Sequence, residues 1–233
     1  MKMLQSTKDF IPSIHKEGYL IIAIFAFVTM ILFSFSDTLG WLGTIALIWC
    51  VFFFRDPTRV TQTGENLVIS PADGIVQMIT SSYPPEELSM PQKEMTRISI
   101  FLSVFDVHVN RIPVNGKITK LHYRPGKFFN ASLDKASVDN ERQSVCITRP
   151  NGEEIAVVQI AGLIARRIIC DLKDDQDVLA GERFGIIRFG SRVDIYLPTA
   201  IEPRVIVGQR AVGGETILAD FGDEQRVIKG VAR

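Results

Sequence analysis

Two long apolar runs open the chain, and short alternating segments fill the rest. Residues 19–35 (YLIIAIFAFVTMILFSF) are interrupted only by Thr29 and Ser34, and residues 39–54 (LGWLGTIALIWCVFFF) carry no charge. Each is close to the length of about 17 residues that a helix needs to cross a bilayer. Only Ser36, Asp37 and Thr38 separate them, so the pattern predicts a helical membrane hairpin over 19–54. Lys2, Lys8 and Lys16 precede it, Arg55 and Arg59 follow it, and the connecting loop has no Lys or Arg. The positive-inside rule then places both ends on the cytoplasmic side. A secretory signal fits less well, because the run starts late and lacks a small-residue cleavage site. The alternatives are a hairpin lying shallowly in the interface or one buried in a soluble protein.

From Asn66 onward the chain breaks into short Val- and Ile-rich runs separated by Gly, Pro and Asn. Runs at 67–69, 74–79, 97–103, 116–123, 144–148, 154–160, 186–189, 192–197 and 204–207 read as strands. Asn151-Gly152 is a hairpin signal between two of them. Residues 166–170 read as strand or helix edge, and short helices could begin at 134–138 and 176–180. The expected fold is mainly β (α+β): a helical hairpin followed by an antiparallel β domain of barrel or sandwich character. Its expected organisation is a cytoplasmic N-terminal segment 1–18, a membrane hairpin 19–54 and a β-rich domain 55–233.

Composition narrows the chemistry. Lys plus Arg and Asp plus Glu number 26 each, so no basic field argues for nucleic acid. Cys50, Cys146 and Cys170 are far apart in sequence, without metal-ligand spacing, and suit a reduced compartment. No metal is expected.

Three segments could carry chemistry. Gly190-Ser191 is the only Gly-Ser dipeptide and lies between two strand-like runs. A strained serine there could shift its acyl linkage from nitrogen to oxygen, and elimination then hydrolysis would leave a pyruvoyl group. Read alone, the pair is first of all an ordinary turn or a strand bulge. His108 ends an apolar run that breaks into Asp106, His108, Asn110 and Arg111 before Pro113, like a strand reaching a polar pocket. With a reference pKa of about 6.5, histidine is the natural proton carrier there, although a hydrogen-bonded structural histidine fits the same pattern. Ser70-Pro71-Ala72-Asp73-Gly74 puts a carboxylate in a tight turn before a strand, which a plain turn would also do.

Taken together, these segments resemble the phosphatidylserine decarboxylase family in its short, membrane-anchored bacterial form. The resemblance runs from Phe53-Phe54-Arg55-Asp56-Pro57 through the Asp73 turn and Phe105-Asp106-Val107-His108-Val109-Asn110-Arg111. It continues through 126–137, Asp139-Asn140-Glu141-Arg142, Gln159-Ile160-Ala161-Gly162, Gly190-Ser191 and Gly208-Gln209-Arg210. It implies a zymogen that cuts itself between Gly190 and Ser191, giving associated chains 1–190 and 191–233. Ser191 would become the covalent pyruvoyl cofactor and form a Schiff base with the amine of phosphatidylserine. Carbon dioxide and phosphatidylethanolamine would follow, in phospholipid biosynthesis at the bacterial inner membrane.

The resemblance also implies that His108 and Asp73 are catalytic. Longer relatives carry a second histidine three residues after the one matching His108, as part of a self-cleavage triad; here that position is Arg111. Either His108 serves both steps or Arg111 and a water replace the base. Phe105, Phe128 and Phe129 are candidate pocket walls, and Arg124, Lys127, Arg166 and Arg167 are candidates for the headgroup phosphate. Two rivals stay open: a membrane-tethered β-barrel carrier or adaptor without catalysis, and a pyruvoyl decarboxylase of a soluble amino acid. The chain leaves room for a homo-oligomer.

Overall fold

The computed structural model describes residues 12–126, 140–162, 167–188 and 191–222. It divides into two units, Met1–Thr58 and Arg59–Arg233.

In the first unit the apolar runs form helices α1 (Tyr19–Phe35) and α2 (Asp37–Phe53), flanked by paired strands β1 (Ser13–Ile14) and β2 (Arg55–Asp56). The expected three-residue connection shrinks to Ser36, whose extended backbone (φ −167°, ψ 138°) turns the chain alone. Asp37 joins the first turn of α2, where the helix dipole favours a carboxylate. Gly40 is buried in the seam between the helices, and a Cβ there would lie 2.1 Å from the Phe33 ring. Small residues of this kind let apolar helices approach closely. With its preceding turn, α1 forms a 20-residue helical stretch, Lys16–Phe35, whose most apolar 18-residue window has a mean hydropathy of 2.4, long and apolar enough to cross a membrane; α2 is shorter at 17 residues.

The second unit contains β3 (Leu67–Ile69), β4 (Gly74–Ser82), β5 (Met95–Leu102), β6 (Val109–Arg111), β7 (Gly116–Arg124) and β8 (Arg142–Thr148). It continues with β9 (Glu154–Ala161), β10 (Ile168–Cys170), β11 (Asp177–Val178), β12 (Arg183–Ile187), β13 (Ser191–Pro198), β14 (Arg210–Ala211) and β15 (Ile217–Asp220). A large antiparallel sheet runs β11-β7-β8-β9-β13-β5-β4-β14, with β10-β12-β6 and β15-β3 as smaller sheets. Alternation along β13 sends Val193, Ile195 and Leu197 to one face, with Ile98, Ile100 and Leu102 of β5 and Ile155 and Val157 of β9. That face packs on Val68, Phe184, Ile187 and Leu218 from the smaller sheets, which makes the main core. Ala156, Val158, Ile160 and Tyr196 point the other way and are covered by Leu88, Met90 and Met95. Burial on both faces explains why these central strands read as nearly continuous apolar runs.

Two expectations fail. Residues 204–207 are not a strand: Pro203 makes only an isolated bridge to Ala219, and the segment turns at Gly208 (φ +89°), capped by Gln209 Oε1 accepting from Ile206 N. Proline has no N–H to give a ladder, which is why the run stays short of a sheet. Residues 176–180 contain the edge strand β11 rather than the start of a helix. Residues 134–138 lie outside the described set.

The second face of the sheet also carries charge. Glu87 accepts from Ser144 Oγ and Arg142 Nη2, both at 2.8 Å. Burial alone would raise its carboxyl, but hydrogen bonds from its own backbone, Ser144 and Arg142, with the Arg142 charge, leave it below the ordinary value of 4.5. A carboxyl lowered on folding adds stability that is fully present above its unfolded value and is lost as pH falls through the folded one. Glu87→Gln should therefore cost about 1–3 kcal/mol near neutrality. Chemical denaturation of both proteins across a pH series checks this, and the gap should begin to narrow as pH drops below 4.5 and narrow further as it falls through the lower folded value.

Candidate active site

Ser191 opens β13 opposite Leu102 of β5 and Ala161 of β9, so backbone ladders hold it from both sides. Alternation puts its side chain on the core face with Val193. It is fully buried, and its Oγ has no hydrogen-bond partner among the described residues. Gly190, the other half of the expected cleavage pair, lies outside the described residues.

His108 is also fully buried, one residue ahead of β6. Its backbone carbonyl accepts from Ile187 N at 3.3 Å, which places it across from the last residue of β12, four positions before Ser191. Nδ1 lies 3.0 Å from the carbonyl oxygen of Asp106. A carbonyl only accepts, so Nδ1 carries the proton and the neutral ring keeps its basic lone pair on Nε2. Asp106 closes the preceding turn by accepting from Ser103 N at 2.8 Å, and its other oxygen pairs with Arg210 of β14. That ion pair ties the histidine loop to the sheet edge.

Asp73 is held in its turn through both oxygens: Oδ1 accepts from Gly213 N at 2.7 Å and Oδ2 from Arg59 Nη2 at 2.8 Å. Just after it, Ile75 stands opposite Phe101, while Ser191 stands opposite Leu102. The Asp73 turn and Ser191 thus lie at one end of β5, on its two flanks. Arg111 is buried, and its Nη1 donates to Gly181 O at 2.9 Å while its backbone N–H donates to Pro71 O. A guanidinium stays protonated at any physiological pH. Arg111 therefore cannot itself act as the base, and it joins the 70–74 turn to the 181 turn.

Sequence reading missed a pair of amides. Gln159 of β9 stands opposite Val193 and faces the core, and its Nε2 donates to Asn110 Oδ1 of β6 at 2.7 Å. The signal for it was a lone glutamine at an inward position of an otherwise apolar strand. Of the proposed walls and headgroup residues, Phe105 is 63% exposed in the turn after β5, and Arg124 and Arg167 are exposed. Phe128, Phe129, Lys127 and Arg166 lie outside the described residues. A cavity of about 420 Å³ lined by Met95, Glu154 and Pro198 sits at the far end of β13 from Ser191.

A sequence model described as phosphatidylserine decarboxylase matches residues 46–219. A phosphatidylserine decarboxylase proenzyme of Rickettsia bellii is 60% identical over 219 residues, covering 94% of this chain and 95% of that one. Its namesake from Cereibacter sphaeroides is 55% identical over 224 residues, with 96% and 97% covered.

Gly74 shapes the Asp73 turn, with φ +155° and a position where a Cβ would stand 2.1 Å from the Phe101 carbonyl oxygen. Gly74→Ala should lower stability by about 3 kcal/mol from the strained backbone, before any cost of the clash. Thermal unfolding measures it, and an unchanged midpoint would refute the assignment.

Proposed function

The chain belongs to the phosphatidylserine decarboxylase family and removes carbon dioxide from phosphatidylserine to leave phosphatidylethanolamine; we propose that it does so with a pyruvoyl group made from its own Ser191. The observation that carries this reading is the fully buried serine whose hydroxyl is unpartnered among the described residues at the head of a doubly paired strand. Neither a carrier module nor a decarboxylase of soluble amino acids is favoured beside these relatives.

Formation of the group is internal. Ser191 Oγ attacks the Gly190 carbonyl carbon, the Gly190–Ser191 amide opens, and an ester takes its place. Loss of the Cα proton expels the Gly190 carboxylate and leaves dehydroalanine, which water converts to the pyruvoyl group with release of ammonia. Ser191 fits this task because its Cα, which would become the ketone carbon, is fixed by two ladders at the head of the strand. The group supplies an electrophile for the substrate amine and an electron sink as carbon dioxide departs.

The remaining steps fall to ordinary side chains. His108, whose Nε2 is the nitrogen that can take up a proton while Nδ1 is held by the Asp106 carbonyl, would be protonated there and deliver that proton to the substrate Cα. Asp73 belongs to the processing machinery, with its carboxylate aimed by Arg59 and Gly213. The apolar surroundings favour loss of a carboxylate whose charge disperses as it leaves, a contribution whose size is contested. Chains 1–190 and 191–233 would stay together, since β13 of the shorter lies between β5 and β9 of the longer. The apolar helix through Tyr19–Phe35 supports a membrane anchor suited to a two-chain lipid. The charge pattern around 19–54 supports a hairpin with the β-rich unit on the cytoplasmic side of the inner membrane.

Denaturing electrophoresis with intact-mass measurement tests the reading. Wild type should give two fragments, the shorter starting with a pyruvoyl group at position 191, whereas Ser191→Ala should remain one chain and release no carbon dioxide from phosphatidylserine. A cleaved, active Ser191→Ala variant would refute the assignment. His108→Ala should lose decarboxylation by at least about 100-fold, read as carbon dioxide released from phosphatidylserine and compared with free serine.

A further inference from the structure

The Asn110–Gln159 pair is left unused by the roles above. Both residues are fully buried, and one hydrogen bond of 2.7 Å joins them. Each side-chain amide has a carbonyl and an NH2 group, so a pair joined once keeps one unused carbonyl and one unused NH2. These are Gln159 Oε1 and Asn110 Nδ2, and neither has a hydrogen-bond partner among the described residues. Turning both amides over leaves the same remainder, one acceptor and one donor. Ser191 Oγ is in the same condition. A buried polar group left unsatisfied costs about 1–3 kcal/mol, so three in one neighbourhood are not explained by folding alone.

Register brings the three together. Ser191 stands opposite Ala161 and Val193 opposite Gln159, so Ser191 and Gln159 are diagonal neighbours on one face of the β13–β9 pair. Diagonal neighbours on a sheet are within reach of a long side chain. Asn110 arrives from the smaller sheet, where it stands opposite Gly185, and meets Gln159 across the core. Donor and acceptor capacity are matched, since a hydroxyl gives one hydrogen and accepts at its lone pairs.

We propose that the Asn110–Gln159 amide pair positions the Ser191 hydroxyl for its conversion to the pyruvoyl group, the O–H donating to the free amide carbonyl and the oxygen accepting from the free NH2. Fixing the hydroxyl in this way removes rotation about Cα–Cβ, which otherwise dilutes the attacking orientation. Both amides are neutral and take no proton: they aim the hydroxyl in the resting precursor, and its proton then passes from the amide carbonyl's hydrogen bond to a separate base as the oxygen, still held by the NH2 group, attacks. A charged residue in their place would have to be desolvated in the apolar core, at much greater cost. The inference rests on the reading of Ser191 as the pyruvoyl precursor.

The test follows cleavage of the full chain after cell-free synthesis in detergent, by intact mass over time. Asn110→Leu combined with Gln159→Met removes both amides at once and leaves the Ser191 hydroxyl as the buried group without a partner, a cost of about 1–3 kcal/mol. Its thermal midpoint should stay within a few degrees of uncleaved Ser191→Ala, while cleavage slows by about 100-fold, the scale of a misplaced reacting group. Gln159→Glu is the second variant. It keeps an acceptor beside Ser191 but makes it titratable, so cleavage should continue with a rate that rises with pH as the new carboxylate ionises. A purely structural pair would move the midpoint and leave no such profile. A folded double variant cleaving at the wild-type rate overturns the inference while leaving Ser191 as precursor. So does a Gln159→Glu protein with the wild-type rate and pH profile. Wild type that stays one chain overturns both.

Discussion

The pairing of β13 on both edges is the constraint on which the rest of this molecule depends. From Ser191 to Tyr196 it is bonded to β5 on one side and β9 on the other, so its first residue has no freedom of register. Alternation then divides the labour between faces. Ser191 turns toward the core that the smaller sheets close, and Arg192 turns away from it. Arg192 and Asp194 form an ion pair with Nε to Oδ1 at 2.9 Å and Nη2 to Oδ2 at 3.0 Å, both side chains fully buried. Such a pair gives little net stability against an apolar substitute, yet removing one partner leaves an uncompensated charge. Its neighbour Tyr196 is pushed up to about 12, by burial first and then by Asp194. The strand is thereby pinned by charge on one face and by apolar packing on the other.

Around that fixed point the polar residues of the site are held by long-range bonds. The Asp106 carbonyl sets the tautomer of His108, and the Asp106 carboxylate locks that loop to Arg210, which is 104 residues further along. Asp73 is oriented by Arg59 and by the backbone of Gly213. Arg111 does structural work, reaching the Gly181 carbonyl. Its guanidinium could not exchange protons as an imidazole does, which leaves His108 as the imidazole among these groups.

Much of the fold could be read from the chain because its strands are self-announcing. The apolar runs within 142–148 and 154–161 flank Asn151-Gly152, with Gly152 at φ +86° turning β8 into β9. The strand β6 was hidden, since Val109-Asn110-Arg111 looks polar and only its burial between β12 and the core makes it a strand. Residues 204–207 misled in the opposite sense, because apolar composition outweighed Pro203 and Gly208. The candidate site was legible mainly through family resemblance at Asp73, His108 and Ser191. Arg59, Arg210 and the Asn110–Gln159 bridge could not be inferred, since each depends on a contact between segments far apart in sequence.

The position of Ser191 at the head of a central strand also makes the protein's history directional. A chain folds with β13 tethered to β12 by three residues, which gives that strand a high effective concentration at its slot. A cut ahead of Ser191 would remove the tether after the slot is filled. Refolding would then require two separate polypeptides to meet, and the shorter would have to find the gap between β5 and β9 unaided. Heating would be survivable for the precursor and one-way for its product, so the lifetime of the finished molecule would be governed by how slowly it opens rather than by its equilibrium stability.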